Sequence, residues 1–122
     1  MGNKYFAKRT TIDGITFDSK TEAKRYGELK LLEKLGKINN IEIHPPYDLH
    51  IKEYWTGEYI KIGRYSLDFR YWDVEKKSYI LEDVKGWDKK AKKGKGDWLV
   101  TPMSKWKKRH VEAEYGIKVD YV

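Results

Sequence analysis

Apolar residues along this chain recur with two different periods, and the positions where the period changes divide it into elements. In "SKTEAKRYGELKLLEKLG", Tyr26, Leu29, Leu32 and Leu35 recur every three residues, with Leu31 beside them, which predicts a helix. Ser19 suits the N-cap, Glu22 three residues on completes a capping-box pattern, and Gly36 ends the helix. Just before it, "TTIDGITF" predicts a short strand or hairpin turning at Asp13-Gly14. After it, Ile41 and Ile43 alternate up to Pro45-Pro46, which stop a strand or confine it to an edge. Tyr47, Leu49 and Ile51 alternate again, and a turn around Thr56-Gly57 leads into "YIKIGRYSLDFRYWD". There Tyr65, Leu67, Phe69 and Tyr71 share one face of a predicted strand. "VEKK" reads as a hairpin loop and "YILEDVKG" as the strand that follows. Thr101-Pro102 supplies an N-cap and a first-turn proline for a second helix, with Met103, Trp106, His110 and Val111 on one side. That helix stops at Tyr115-Gly116, and "IKVDYV" closes as a short strand. Helix, strand meander, helix and strand in that order predict an α+β, or mixed α/β, fold.

The length of 122 residues suits one domain with one core, and a 15% aromatic content predicts a core built on large rings. No internal repeat is visible. The absence of cysteine excludes disulfides, thiolate zinc sites and a cysteine nucleophile. No apolar run is long enough to span a membrane, and "MGNKYFAKRT" lacks the apolar centre of a secretory signal. Phe6 stands where a myristoylation pattern needs Ser or Thr, so a soluble, cytoplasmic protein is expected. Residues 1–9 show no period and are expected to form a mobile arm. The net charge of +7 favours a polyanionic partner. Lys and Arg crowd between Lys85 and Arg109, where only Asp88 and Asp97 oppose them. Residues 87–97, "WDKKAKKGKGD", are expected to be a flexible basic loop with too little apolar surface to fold alone.

The two carboxylates and the lysine of "YILEDVKG" are out of place on a core strand, because a buried charge is costly unless paired or metal-bound. If Val74 to Lys77 form a four-residue loop, Asp73 pairs with Ser78 and Asp68 lies across from Asp83. Asp83 and Lys85 then share a face with Asp68, and Glu82 points to the other. A one-residue slip would place Glu82 opposite Asp68 instead. Like charges ~5 Å apart across a ladder call for a cation between them or a proton on one. Mg²⁺, an oxygen-seeking ion, suits that gap. The plainer alternative is a solvated polar hairpin with Arg70 neutralising Asp68. Glu22 projects from the helix face that carries Tyr26 and Leu29, so it can reach the same place. His44, His50 and His110 do not have the spacing of a metal triad; His44 is expected to end a strand near the site, and His110 to lie on the packing face of the last helix.

"FDSKTEAKRYGELKLLEKLGKI", "YSLDFRYWD" and "YILEDVKG" together resemble the PD-(D/E)XK nuclease superfamily, above all small phage nucleases and archaeal-type Holliday junction resolvases. The resemblance implies a restriction-endonuclease-like αβββαβ core, a mixed central sheet flanked by helices. It implies Glu22 as the helix acid, Asp68 as the motif aspartate and Asp83-Val84-Lys85 as the Asp/Glu-x-Lys element. The residue before Asp68 is Leu67 where the motif has Pro. Glu22, Asp68, Asp83 and the Val84 carbonyl would hold Mg²⁺, with Mn²⁺ able to substitute, and no organic cofactor is implied. Lys85 would orient the attacking water or stabilise transition-state charge. Lys89, Lys90, Lys92, Lys93 and Lys95 in the loop, with Lys105, Lys107, Lys108 and Arg109 on the last helix, would contact the DNA backbone. Trp87 and Trp98, which bracket the loop, are either packed or free to stack on an unpaired base. The expected activity is Mg²⁺-dependent, structure-selective DNA cleavage, with a Holliday junction resolvase of phage origin in a bacterial host as the leading reading. Two cuts on opposing strands would need a homodimer. The alternatives are a nicking or double-strand endonuclease without junction preference, and a non-catalytic nucleic-acid-binding module.

Overall fold

The structure, a computed structural model, describes residues 9–122, so the expected arm at residues 1–9 lies outside it apart from Arg9. Strands β1 (Thr10–Ile12) and β2 (Ile15–Phe17) form the first hairpin, with positive φ at Asp13 and Gly14 in its turn. Helix α1 (Lys20–Lys34) starts at Ser19, whose hydroxyl accepts the Glu22 amide. Only that half of the capping box carries a side-chain bond here, because the Glu22 carboxylate turns to His44 instead.

Next come β3 (Ile38–Ile43), β4 (Pro46–Lys52), β5 (Tyr59–Ser66), β6 (Phe69–Asp73) and β7 (Ser78–Asp83). The predicted loop at residues 74–77 and its register are as expected: Asp73 pairs with Ser78 and Phe69 with Glu82. The long alternating stretch is not one strand, however. It breaks at Leu67-Asp68, where the chain passes from a two-stranded β4–β5 ribbon into a four-stranded sheet in which β7 and β6 lie between the last strand and β3. Here β10 (Val119–Tyr121) runs parallel to β7 and the other neighbours are antiparallel, so the central sheet is mixed. Pro45 and Pro46 cause the matching break between β3 and β4, since Pro45 lacks the amide a continuous ladder would use there. Register nonetheless carries across the break. Ile43 pairs with Phe69 and Pro46 with Ser66, and His44 donates its amide to the Asp68 carbonyl at 2.9 Å. His44 therefore stands opposite Asp68, as Asp68 stands one step beyond the Phe69–Glu82 pair that leads to Asp83.

Alternation gives the sheet two faces. Phe69, Tyr71 and Ile38 pack under Phe17, Ala23, Tyr26 and Leu29 on the α1 side. Leu81 and Val119 pack with Leu49, Tyr65, Leu67 and Val111 on the other, where the β4–β5 ribbon meets α3 (Pro102–Tyr115). The Thr101 cap, the first-turn proline and left-handed Gly116 bound α3 as predicted. Met103 and Trp106 do not join the core: both are exposed, because α3 buries only the narrow stripe through Val111. Leu31 and Leu35 are likewise exposed, since α1 directs Tyr26 and Leu29 inward.

Residues 87–97 are not the expected unstructured loop. They form most of a hairpin in which β8 (Gly86–Asp88) pairs with β9 (Asp97–Leu99) across the single turn α2 (Ala91–Gly94). Trp87 and Trp98 lie directly opposite, with ring centroids 4.9 Å apart and planes at 80°. Their edge-to-face contact supplies the apolar pairing that the lysines between them cannot.

Candidate metal centre and cleft

The break in both ribbons brings four candidate site side chains to one level. Glu22 comes from the first turn of α1, His44 from the end of β3, Asp68 from the bend before β6 and Asp83 from the end of β7. One ligand atom each from Glu22, His44 and Asp68 lies within 4.8 Å of the other two. His44 Nε2 is 2.5 Å from Glu22 Oε1. The backbone at His44 is left-handed, with φ 53°, immediately before a proline. That combination is disfavoured and costs on the order of 1–3 kcal/mol, which the surrounding ladder must hold in place.

Asp68 sits at the centre. Its Oδ2 accepts the Val84 amide at 2.6 Å, and its carboxyl shares a hydrogen bond with Asp83. Burial, followed by the negative charges of Glu22 and Asp83, pushes its pKa up to about 8 against the lowering effect of the Val84 amide. The expected competitor for neutralising it is engaged elsewhere: Arg70 grips Glu42 with two guanidinium nitrogens and donates to the Tyr47 hydroxyl at 2.7 Å. No described cation forms an ion pair with Asp68.

Asp83 accepts a hydrogen bond from the buried Tyr65 hydroxyl and lies 3.3 Å from Lys85 Nζ. Burial and then the Asp83 carboxylate hold the Tyr65 hydroxyl well above its usual pKa, so Tyr65 stays a donor. Glu82 faces α1, as the four-residue-loop register predicts. It is 1% exposed and takes a two-pronged ion pair from Arg25, at 2.8 and 2.5 Å, together with the Tyr71 hydroxyl at 2.5 Å. Its oxygens are committed to packing α1 on the sheet.

Asp68, Asp83, Val84 and Lys85 line one end of an open cleft of about 300 Å³. Arg64, Ser104 and Lys107 line the same cleft, so it holds both acids and cations, and Arg64 is also 3.1 Å from Asp48. Two carboxylates and an imidazole at this spacing, with a third carboxylate bonded to one of them, fit a divalent cation in donor type. Asp68, raised in pKa by burial and by the negative charges of Glu22 and Asp83, is the group such a cation would most affect.

The basic residues separate into two groups. Lys89, Lys93, Lys95, Lys105 and Arg109 are exposed, and Lys90 lies beside them in the turn of the hairpin. Lys92 is 3.5 Å from Asp97, and Lys108 is held by Glu112 at 3.1 Å and lies over the Tyr121 ring. Lys108 thus braces α3 on β10. His50 and His110 both bond Glu114, away from the centre. His44 is the site residue that sequence pattern alone undervalues. The one signal for it is its position just before Pro45, at the end of a predicted strand.

No curated protein and no solved structure matches the chain. A family model matches residues 2–116, nearly the whole length, and the chain belongs to that family, DUF1064, described as proteins of unknown function.

Proposed function

We propose that this protein is a divalent-metal-dependent DNA endonuclease of the PD-(D/E)XK superfamily, selective for branched DNA in the manner of a Holliday junction resolvase. One observation carries the reading: the Asp68 carboxyl is grouped with Glu22 and His44 and hydrogen-bonded to Asp83, and no described cation pairs with it. The helix acid, the bend aspartate and the Asp83-Val84-Lys85 run come together in the order that superfamily uses, on a mixed sheet with a helix on each face.

Asp68 and Asp83 would hold Mg²⁺ with the Val84 carbonyl, and Glu22 would complete the shell, either directly or through water. His44 orients the Glu22 carboxylate and can itself act as a ligand. When bound, the ion supplies Lewis acidity toward the phosphate and makes a water nucleophilic at neutral pH. The chain's own residues do the rest. Tyr65 fixes the Asp83 carboxylate through its hydroxyl, leaving Oδ1 toward Lys85. Lys85 presents an ammonium to the charge that develops on the phosphate. Lys107 and Arg64, the latter also paired with Asp48, line the same cleft and would hold the flanking phosphates. Cutting both strands of a junction requires two such centres, and hence a homodimer.

The test uses supercoiled plasmid, linear duplex and a four-way junction, each with Mg²⁺ or with EDTA. The expected result is Mg²⁺-dependent cutting that favours the junction. Asp68→Asn should lower the rate by about a hundredfold or more, the scale of losing one group that stabilises developing charge. Equal cutting of duplex and junction would leave a nuclease without branch preference. Binding without cutting by the wild-type protein would leave a nucleic-acid-binding module.

A further inference from the structure

Met103 and Trp106 occupy the positions on α3 that a core helix would bury, yet they are 64% and 80% exposed. They are not isolated. With Ile62 and Leu49 they line an apolar groove of about 150 Å³ between α3 and β5. Leu49 is buried and forms the floor, while Ile62, Met103 and Trp106 form open walls. Lys107 belongs to this groove and also to the cleft holding Asp68 and Asp83, so the two sites are one side chain apart. Neither Lys107 nor the exposed Arg109 one turn from Trp106 makes an ion pair with a described residue.

We infer that this groove receives an unpaired nucleobase of a DNA strand whose neighbouring phosphate lies in the acidic cleft. The inference rests on the nuclease reading and names the feature of the substrate that the site would select. An apolar wall carrying an indole, with Lys107 at its edge and joined through Lys107 to a phosphate-sized cleft, matches a nucleotide in both its parts. The base stacks on Trp106, the backbone meets Lys107 and Arg109, and the next phosphate reaches Arg64 and Lys85. Base–aromatic stacking is available to all four bases, so this recognition selects strands with unpaired bases without selecting a sequence. In continuous duplex the bases are stacked on one another and cannot enter. A branch point, where pairing is interrupted, offers one without the cost of unpairing.

The experiment measures binding of single-stranded and duplex oligonucleotides in EDTA, where nothing is cut, with 2-aminopurine as the reporter base. For the wild-type chain, the reporter's fluorescence should be quenched on binding single strand. Trp106→Ala should lower single-strand affinity by about tenfold, within the range found when a stacking aromatic is removed, and abolish the quenching. Duplex affinity should stay within about twofold, and Trp106→Phe should retain most of the single-strand binding. Trp55→Ala, at a tryptophan 89% exposed outside both the groove and the cleft, should change nothing. Unchanged single-strand affinity in Trp106→Ala would overturn the inference, and so would an equal loss for single strand and duplex. A self-association that Trp106→Ala abolishes, seen by sedimentation, would assign the groove to a second copy of the chain and overturn it as well. These readouts do not depend on hydrolysis. Loss of the base-binding effect with Mg²⁺-dependent cutting intact would reject this inference alone, whereas absence of cutting with base binding intact would reject the nuclease reading.

Discussion

Asp68 is where burial, like charge and register meet. Its raised pKa gives the metal-free protein a definite pH dependence. The folded state keeps the proton up to about 8, while the unfolded chain releases it near ~4, so between those values the native state binds more protons. Stability of the metal-free protein should therefore fall as pH rises from about 4 through about 8. Asp68→Asn, which carries no titrating proton, should remove most of that fall. Thermal melts in EDTA at pH 5 and pH 9 measure it; a drop in Tm of at least about 4 °C that Asp68→Asn removes is expected, equivalent to roughly 1 kcal/mol. His44 makes a second prediction at the same scale. An imidazole beside two carboxylates favours transition-series ions over Mg²⁺. His44→Ala should weaken Mn²⁺ binding by about tenfold, or 1.4 kcal/mol, and Mg²⁺ binding far less, as read by calorimetry with each ion. Equal losses for both ions would reduce His44 to a partner of Glu22.

The β6–β7 hairpin shows how two adjacent acids acquire different roles. Glu82 and Asp83 differ by one position and so face opposite sides of the sheet: Glu82 meets Arg25 on α1, and Asp83 meets Tyr65 and Lys85 in the cleft. Arg25→Ala would leave the Glu82 carboxylate buried without its cation, and should cost about 3–5 kcal/mol in denaturant unfolding. Glu82→Gln should leave metal affinity unchanged where Asp83→Asn lowers it, and calorimetry separates the two. The facing of these acids follows from the sequence once "VEKK" is taken as a four-residue loop; the pairing of Asp73 with Ser78 selects that register over the one-residue slip the sequence left open. The caps and spans of α1 and α3 were legible for the same local reasons. What lay beyond reach depends on long-range pairing. The bend at Leu67-Asp68 leaves apolar alternation intact, since Leu67 and Phe69 are both buried, but in different clusters. Only the pairing of β3 with β6 and of β4 with β5 reveals that His44 stands opposite Asp68.

Over the whole molecule, positive charge is concentrated on an arm that the sequence made look unstructured, because lysine and glycine outnumber its anchors. Trp87 and Trp98 close the arm, and Trp98 also meets Tyr121 of β10 at 5.9 Å, which ties it to the central sheet. Gly96 permits that closure. It has φ 85°, and a Cβ there would stand 2.6 Å from the Trp87 ring. An arm held in this way directs Lys89, Lys93 and Lys95 outward from a fixed base instead of trailing them through solvent. Removing one phosphate-binding cation should lower the slope of log affinity against log salt by roughly 0.9. Replacing Lys89, Lys93 and Lys95 with serine should therefore flatten the duplex-binding slope by about two to three, with equal effect on every sequence. Gly96→Ala keeps all three charges but strains their support. If the arm acts by its geometry, Gly96→Ala should weaken binding at low salt while leaving the stability of the central sheet intact by hydrogen exchange. If charge alone matters, Gly96→Ala will bind like the wild-type chain and only the serine substitutions will register, which separates a structured arm from a basic tether.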